Sequence, residues 1–356
     1  MIRLLASLTF LLCLVGCSPE KQWYKGNTHT HTVLCGHADS TPEAVTKWYH
    51  ERGYNFLVLS EHNIFIDPAD VKMPDNKRDD FILIPGEEIT GGSHAHTTAL
   101  NTVGLVDPNR EKREGASKTE VIQEHVDGAI EQHGHAILNH PNFHYMNKAE
   151  DIRPVKGLHM FELFNGHPAV NNFGNEENVS VETMWDQLLS DGMLIYGVSS
   201  DDAHNFLKLG PDVSNPGRGW VMVLSDTLTP DAISNAMYHG DFYATSGVML
   251  SQLDSSLGGI SLTVDEEGTT RELESTFVSG HKVAEGEEGF VIEFIGDGGK
   301  VLKEVKGVSA STDVSSDSSY TRAKITFTRK SGDGFENFYC WTQPVFTDGR
   351  QHYHHD

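Results

Sequence analysis

Two histidines near the amino end of the chain have the spacing of a metal-binding pair. His29 and His31 lie in the segment NTHTHT, and His37 follows six residues after His31. Alternate residues of an extended chain point to the same side, so both imidazoles of the pair can reach one metal ion or two neighbouring ions. A single His-x-His pair is a weak signal, and it gains weight from the residues that follow.

The same residue types recur at the ends of four later apolar runs. They are Glu61 and His62 after LVLS, Glu87 and Glu88 after ILIPG with His94 and His96 shortly beyond, His140 after ILN, and Asp201, Asp202 and His204 after IYGVSS. In a parallel α/β fold the carboxyl ends of the strands meet on one face, where active sites are built. Any one of these histidines is equally well explained as a hydrogen-bonded loop residue. Their recurrence at successive strand ends predicts one shared metal site.

These strand ends imply that strands and helices alternate over the first two thirds of the chain. Apolar runs predict strands at 55–60, 81–86, 136–141, 159–164, 193–200 and 219–224. Amphipathic stretches predict helices at 42–52, 118–133, 181–190 and 230–239, two of which begin with a Thr-Pro pair suited to an N-cap. The alternation predicts a parallel sheet covered by helices. A barrel and an open doubly wound sheet both satisfy it.

The amino-acid composition and the hydrophobic pattern of the sequence change near residue 250. The stretch 251–344 is rich in Ser, Thr, Gly and Val, and segments such as GFVIEFIG and YTRAKITFTR alternate apolar and polar residues. It has no convincing helical periodicity. This pattern predicts a small antiparallel β domain and tail over 251–356, after a larger domain over 26–250.

The overall composition excludes several classes of protein. Hydrophobic residues make up 38% and charged residues 22% of 356 residues, which is ordinary for a globular protein and excludes a disordered or multi-span membrane chain. The formal net charge is −24. A chain this acidic lacks the basic surface that nucleic acid requires, so we expect no nucleic-acid partner. The sequence leaves the oligomeric state open.

The first residues have the features of an export signal. Arg3 precedes the apolar run LLASLTFLLCLVG, which is shorter than the roughly 20 residues needed to span a bilayer. The tetrapeptide LVGC, ending at Cys17, resembles the lipobox of bacterial lipoproteins. This resemblance implies a signal peptide over 1–16, a lipid anchor on Cys17 and a linker over 17–25, with Ser18 favouring the outer membrane on its periplasmic face. Of the remaining cysteines, Cys35 and Cys340 are far apart in sequence and their pairing stays open.

Taken in order, the motifs HTHT, EHN, GEE, NHP and DDAH resemble the PHP (polymerase and histidinol phosphatase) domain. The resemblance covers about residues 26–250. It implies an α/β fold, a distorted (β/α)7 barrel, with two or three divalent metal ions (zinc, manganese or iron) and phosphoesterase activity. The segments ELFNGHPAVNNFGN and DFYATSG look like periplasmic members of this family with a C-terminal β domain, a group that includes carbamate and phosphoester hydrolases.

The metal ligands that the resemblance implies come from every one of these motifs. They are His29, His31, His37, His62, Glu88, His96, His140, Asp202 and His204. Glu88 fits the family's G-x-E spacing better than Glu87, and Asp202 fits its D-x-H spacing better than Asp201. Nine ligands exceed the three protein ligands of a single catalytic zinc, which indicates more than one metal.

Such a centre has a familiar hydrolytic chemistry. Neighbouring metal ions lower the pKa of a bound water, so that hydroxide is available near neutral pH, and they stabilise an in-line displacement at phosphorus. Arg218 is predicted to contact a phosphate oxygen, and His144 or His167 to protonate the leaving group. Each of these three residues is about equally well explained as loop packing.

The leading hypothesis is therefore a metal-dependent phosphoesterase acting on small phosphomonoesters or phosphodiesters. A second keeps the metal centre and changes the substrate to a carbamate, an amide or a carboxyl ester. A third is a non-catalytic lipoprotein that binds metal or another ligand. The third is disfavoured because binding modules seldom place so many ligands at open strand ends.

Overall fold

A computed structural model describes residues 21–75, 77, 79–90, 95–107, 115–275, 280–314 and 316–352. The predicted signal peptide and the predicted lipidation site Cys17 lie outside the described residues, as do residues 17–20 of the predicted linker. Within the described ranges, no helix is both long enough and apolar enough to cross a membrane.

The first two thirds of the chain contain ten strands and five helices among the described residues. The strands are β1 (Gln22–Asn27), β2 (Phe56–Val58), β3 (Ile82–Ile84), β4 (Gly86–Ile89), β5 (Thr97–Leu100), β6 (His135–Leu138), β7 (Met160–Asn165), β8 (Tyr196–Ser200), β9 (Trp220–Ser225) and β10 (Phe242–Thr245). The helices are α1 (Pro42–Glu51), α2 (Lys118–Glu131), α3 (Ala149–Ile152), α4 (Val181–Ser190) and α5 (Pro230–Tyr238).

The four predicted helices are α1, α2, α4 and α5, within two residues at each end. Their starts follow from local side-chain caps: Thr41 accepts a hydrogen bond from the Ala44 amide, and Thr229 accepts one from the Ala232 amide. The six predicted strands are also present. Four strands, β1, β4, β5 and β10, were not predicted, because segments such as QWYKGN and TTAL are not apolar runs.

The mixed α/β class is confirmed, whereas the closed (β/α)7 barrel is not. The strands form open sheets: β4, β5, β6, β7 and β8 lie side by side in one, and β3, β2, β1, β9 and β10 in another. Neighbouring strands run parallel at β1/β2, β2/β3, β6/β7 and β7/β8, and antiparallel at the other pairs. One reason that β4 and β5 are antiparallel is the length of their connection. The seven residues 90–96 are too few for a parallel crossover, which needs about a dozen or more.

Two isolated bridges join the open sheets at one end. Thr30 pairs with Ala203 and His62 pairs with Glu88, both in parallel orientation. Thr30 follows β1, His62 follows β2, Glu88 lies in β4, and Ala203 follows β8. The sheets therefore meet where the predicted metal ligands lie.

The last third of the chain is mostly antiparallel β structure. It contains β11 (Leu250–Ser256), β12 (Gly259–Val264), β13 (His281–Val283), β14 (Gly289–Gly296), β15 (Lys300–Lys306), β16 (Ser309–Thr312), β17 (Tyr320–Ser331), β18 (Gly334–Thr342) and β19 (Val345–Phe346). β10 pairs with β18, so one eleven-stranded sheet continues through the predicted boundary at residue 250. The position of that boundary stays a prediction.

One helix in this region was not expected. α6 (Glu266–Ser275) is mostly polar, and Leu273 is the side chain that it contributes to the hydrophobic core. A partly buried ion pair between Lys25 and Glu272, at 2.6 Å, attaches it to β1. One apolar contact in ten residues leaves no hydrophobic periodicity to detect.

Candidate metal centre

The segment after β1 brings the first histidine pair against the segment after β8. The His31 amide donates to the Ala203 carbonyl and the Asp202 amide donates to the His29 carbonyl, each at 2.9 Å. Since alternate residues of an extended segment share a face, this ladder places both imidazoles beside the Asp202 carboxylate. Nε2 of His29 lies 3.1 Å from Nε2 of His31, and each Nε2 lies 3.4 Å from Oδ1 of Asp202.

The Glu88 carboxylate occupies the middle of the cluster. Its Oε1 lies 3.4 Å from His29 Nε2 and 3.3 Å from both His96 Nδ1 and His140 Nε2. Its Oε2 lies 2.8 Å from His62 Nδ1 and 3.5 Å from His31 Nε2. One fully buried carboxylate thus faces five imidazoles that come from four segments of the chain.

The remaining two predicted ligands lie on the outer side. The rings of His37 and His204 are stacked with centroids 4.6 Å apart, and the His204 ring is stacked on His31 at 4.2 Å. His204 is buried, whereas His37 is exposed. All nine predicted ligands are therefore brought together in one place, although their binding of metal stays a prediction.

The cluster contains several buried polar atoms without a hydrogen-bond partner among the described residues. They include Nδ1 of His62, His96 and His140, Nε2 of His204, and Oε2 of Glu88. His62 Nδ1 and Glu88 Oε2 are only 2.8 Å apart, yet their geometry is not that of a hydrogen bond. Buried polar groups are normally paired. When several ligands bind one metal ion through bonds of about 2.0–2.2 Å, their ligand atoms lie about 3 to 4 Å from one another. The unpaired atoms of the cluster have separations suited to such binding.

The negative charges of the carboxylates in the cluster also favour the binding of a metal cation. Burial alone would raise the pKa of Glu88 and of Asp202, but the surrounding histidines, His29 foremost, hold the pKa of both carboxyl groups well below their ordinary values. Both side chains are therefore anionic at neutral pH. Several groups of three such residues have ligand atoms mutually within 4.8 Å, among them His29, His31 and Glu88. The residues present fit a site for divalent metal.

Glu162 is a site residue that the sequence analysis missed. It lies in β7, and its Oε1 accepts a hydrogen bond from Nδ1 of His29 at 2.8 Å. Its Oε2 accepts from the His140 amide at 2.7 Å and from the side chain of Asn165 at 2.8 Å. Holding the proton on Nδ1 leaves Nε2 of His29 as the ligand atom. A glutamate inside the apolar run HMFELF was the available signal.

The acidic residues that directly precede the predicted ligands Asp202 and Glu88 accept hydrogen bonds from backbone amides. Asp201 accepts hydrogen bonds from the amides of Gly217, Arg218 and Gly219 and from the Tyr49 hydroxyl, and so fixes the loop before β9. Glu87 accepts from the Val106 amide at 2.6 Å. Asp202 and Glu88 face the histidines of the cluster, and their choice as ligands stays a prediction.

Two buried carboxyl groups beside the cluster are perturbed by burial. Desolvation raises the pKa of Glu61 and of Glu87 to about 7. Glu61 Oε1 accepts a hydrogen bond from the Thr32 amide at 2.8 Å, whereas its Oε2 has no hydrogen-bond partner among the residues described.

The three predicted non-metal residues have different surroundings. His167 lines the cavity over the cluster, and its Nδ1 accepts a hydrogen bond from the Ala169 amide at 3.1 Å. His144 is exposed, with its ring against Phe143. The guanidinium of Arg218 is buried and donates to the carbonyls of Gly166 and Gly210 at 3.2 and 2.7 Å. Their catalytic roles stay predictions.

A cavity of about 500 Å³ opens over the cluster. Its walls include the predicted ligands together with Phe143, His167, Pro168, Asn205, Lys208 and Asp212. Lys208 is exposed at this opening. The cavity gives a small molecule access to the cluster.

Comparisons with known proteins return little. No family model matches this sequence, and no curated protein matches it. The chain is similar in structure to a protein from Bacteroides vulgatus ATCC 8482, described as a two-domain protein containing a predicted PHP-like metal-dependent phosphoesterase. The two are 13% identical over 91% of this chain and 97% of that chain, with a TM-score of 0.44. At this level the likeness assigns no activity, so the functional inference rests on the site itself.

Proposed function

We propose that this chain is a metal-dependent phosphoesterase that hydrolyses small phosphomonoesters or phosphodiesters. The observation that carries the proposal is the set of buried ligand atoms around Glu88 and Asp202, several of them without a hydrogen-bond partner among the described residues, beneath an open cavity. A structural cluster would pair these atoms with one another, because an unpaired buried polar group is costly. Unpaired nitrogen and oxygen atoms beside an open cavity are suited to bind metal ions that a substrate can reach.

The donor set suits two or three ions of zinc, manganese or iron. Imidazole and carboxylate ligands are shared by these metals. Nine ligands that come from several separate segments are too many for one ion of four to six ligands. Bound ions would supply Lewis acidity toward the phosphoryl oxygens and an activated water.

The charge of the site favours an anionic substrate. Two divalent ions would carry four positive charges, and the carboxylates of Glu88, Asp202 and Glu162 together supply three negative ones, because histidine binds metal as the neutral imidazole. The net positive charge that remains favours an anionic phosphoester. A neutral ester, amide or carbamate leaves it unbalanced. This is why we place phosphoesters before the C–N and C–O alternatives.

The chain's own residues orient the ligands and the substrate. Glu162 keeps the proton of His29 on Nδ1, so that Nε2 stays available as a donor. Asn165 connects the carboxylates of Glu162 and Asp202 by donating to both, at 2.8 and 3.3 Å. Fixed carboxylate positions avoid reorganisation when charge develops on the phosphoryl group.

His167 is the residue we propose for the leaving group. Because its Nδ1 accepts from the Ala169 amide, the proton of the neutral ring lies on Nε2. Water attacks phosphorus as the ester P–O bond breaks, while His167 Nε2–H donates a hydrogen bond to the departing oxygen, which takes its proton from solvent. The attacking water gives its own proton to solvent.

Arg218 is held by carbonyl groups, and we propose that it shapes the loop above the cavity.

The experiment measures metal content and hydrolysis on the same preparation. We expect at least two ions per chain and turnover of p-nitrophenyl phosphate or bis-p-nitrophenyl phosphate, with little turnover of p-nitrophenyl acetate. His31→Ala and Asp202→Ala are expected to lower phosphoester turnover by at least 100-fold, on the scale of losing a catalytic electrostatic group. His133→Asn, at an exposed histidine outside the cluster, is the control. Turnover of the acetate alone would support the alternative substrates, and unchanged turnover in both alanine variants would refute the metal mechanism.

We also propose that the chain is exported and held at the periplasmic face of a bacterial membrane by a lipid on Cys17. The support is the LVGC segment after an apolar run. The wild-type chain is expected to incorporate labelled palmitate when it is expressed in bacteria, and Cys17→Ala is expected to abolish this labelling. Equal labelling of the two proteins would contradict a lipid on Cys17.

A further inference from the structure

Cys35 lies at the edge of the ligand cluster and is shared by two groups of possible ligand atoms. Its Sγ forms one group with His37 and His204, and a second group with His31 and Glu61. Within each group the ligand atoms lie within 4.8 Å of one another. The thiol therefore lies between outer and inner residues of the site.

Three neighbours of this thiol have buried atoms without a hydrogen-bond partner among the residues that the structure describes. These atoms are Oε2 of Glu61, Nδ1 of His31 and Nε2 of His204. The Glu61 and His31 residues are fully buried, and His204 is 8% exposed. A cation beside the thiol would satisfy such atoms together.

The two cysteines of the folded part differ in what they can do. Neither forms a disulfide. Cys340 is fully buried in β18 within the hydrophobic core, where a thiol acts as a small apolar group. Cys35 is half-buried, and three histidines and Glu61 are its candidate co-ligands. Of these two cysteines, Cys35 alone belongs to groups of possible metal ligands among the described residues.

We propose that Cys35 is a sulfur ligand of the metal centre, which binds zinc at an outer position together with His37 and His204. The proposal rests on the metal centre of the proposed function, but not on its phosphoester substrate. Thiolate is a soft ligand that suits zinc and suits manganese or magnesium poorly. The S–H bond breaks as the sulfur–zinc bond forms, and the proton goes to the solvent. No oxidation or reduction is involved.

The test uses the full chain and does not depend on turnover. Loading the protein with cobalt(II) is expected to produce a sulfur-to-cobalt charge-transfer band in the near ultraviolet. Cys35→Ser is expected to remove this band while retaining the visible bands of cobalt bound to histidine and carboxylate. Cys340→Ala is the matched control and is expected to keep both sets of bands.

A second measurement needs no variant of Cys35. Peptide-resolved alkylation with iodoacetamide reads Cys35 separately from the other cysteines of the wild-type chain. Zinc is expected to slow alkylation of Cys35 by at least 10-fold, and removal of the metal with EDTA to restore the rate.

The outcomes separate this proposal from the proposed function. Bound cobalt without a charge-transfer band, or a band that survives in Cys35→Ser, overturns the sulfur ligand and leaves phosphoesterase activity intact. A Cys35-dependent band in a protein that hydrolyses no phosphoester supports the sulfur ligand and overturns the substrate. Alkylation of Cys35 at the same rate with and without zinc also overturns it.

Discussion

The carboxylate of Glu162 accepts a hydrogen bond from Nδ1 of His29 at 2.8 Å, and both side chains are buried. The bond fixes which nitrogen of His29 carries the proton, and therefore which nitrogen can bind metal. A carboxylate behind a ligand histidine also raises the basicity of that histidine. Glu162 thus acts on a metal ion through His29.

We expect Glu162→Gln to weaken metal binding by roughly 10- to 100-fold, the usual effect of losing such a partner. The neutral amide no longer stabilises the Nδ1 proton, so His29 can turn the wrong nitrogen to the metal. Competition with a chromophoric zinc chelator measures the affinity. Glu177→Gln, at an exposed glutamate, is the control. An affinity equal to wild type would show that His29 does not depend on Glu162.

The adjacent residues Asp201 and Asp202 are expected to respond differently to the same substitution. Asp202→Asn removes an anion beside His29 and His31, so the metal content should fall by at least one ion per chain. Asp201→Asn disturbs a carboxylate that accepts three backbone amides, so it should lower the free energy of unfolding by about 1–3 kcal/mol. Metal analysis and urea unfolding of both proteins distinguish the roles. Equal loss of metal in both variants would contradict the assignment.

Removal of metal is expected to lower the melting temperature. A ligand that binds the folded state alone stabilises it by about 2.7 kcal/mol at 100 times its Kd. Zinc added to the EDTA-treated protein should therefore raise Tm by several degrees, in a concentration-dependent way, as calorimetry would record. The increase should disappear in His31→Ala. A Tm independent of zinc would argue against a metal centre in the folded state.

Glu87 is expected to make stability fall with rising pH. Burial raises the pKa of its carboxyl group to about 7, from an ordinary value of 4.5. Between these values the folded state holds a proton that the unfolded state has released, so the free energy of unfolding decreases as pH rises and is level above the folded pKa. The Glu87→Gln variant has no carboxyl group at this position, so its free energy of unfolding does not decrease with pH for this reason. The variant should gain on the order of 1–3 kcal/mol relative to wild type between pH 4 and pH 8.

Urea unfolding in EDTA at both pH values measures the effect of Glu87. Glu150→Gln, at an exposed glutamate, serves as the reference. If the difference between Glu87→Gln and wild type does not change with pH, the pKa of Glu87 is not raised in the folded protein.

The sequence by itself determined the local structure and the candidate ligands. Hydrophobic periodicity and threonine caps defined α1 and α5 because helix formation and capping depend on neighbouring residues. The recurrence of histidine and carboxylate at strand ends indicated a shared site because strand ends meet in α/β folds. Local signals of this kind need no knowledge of distant contacts.

Only the tertiary structure decided how the strands pair and which polar residues support the ligands. The open sheets arise from pairings such as β1 with β9, which join residues far apart in sequence. Glu162 and Asp201 were not assigned roles because their partners, His29 and the loop before β9, are remote along the chain. Whether a buried carboxylate binds metal or orients another residue depends on which atoms face it, and those neighbours are set by the fold.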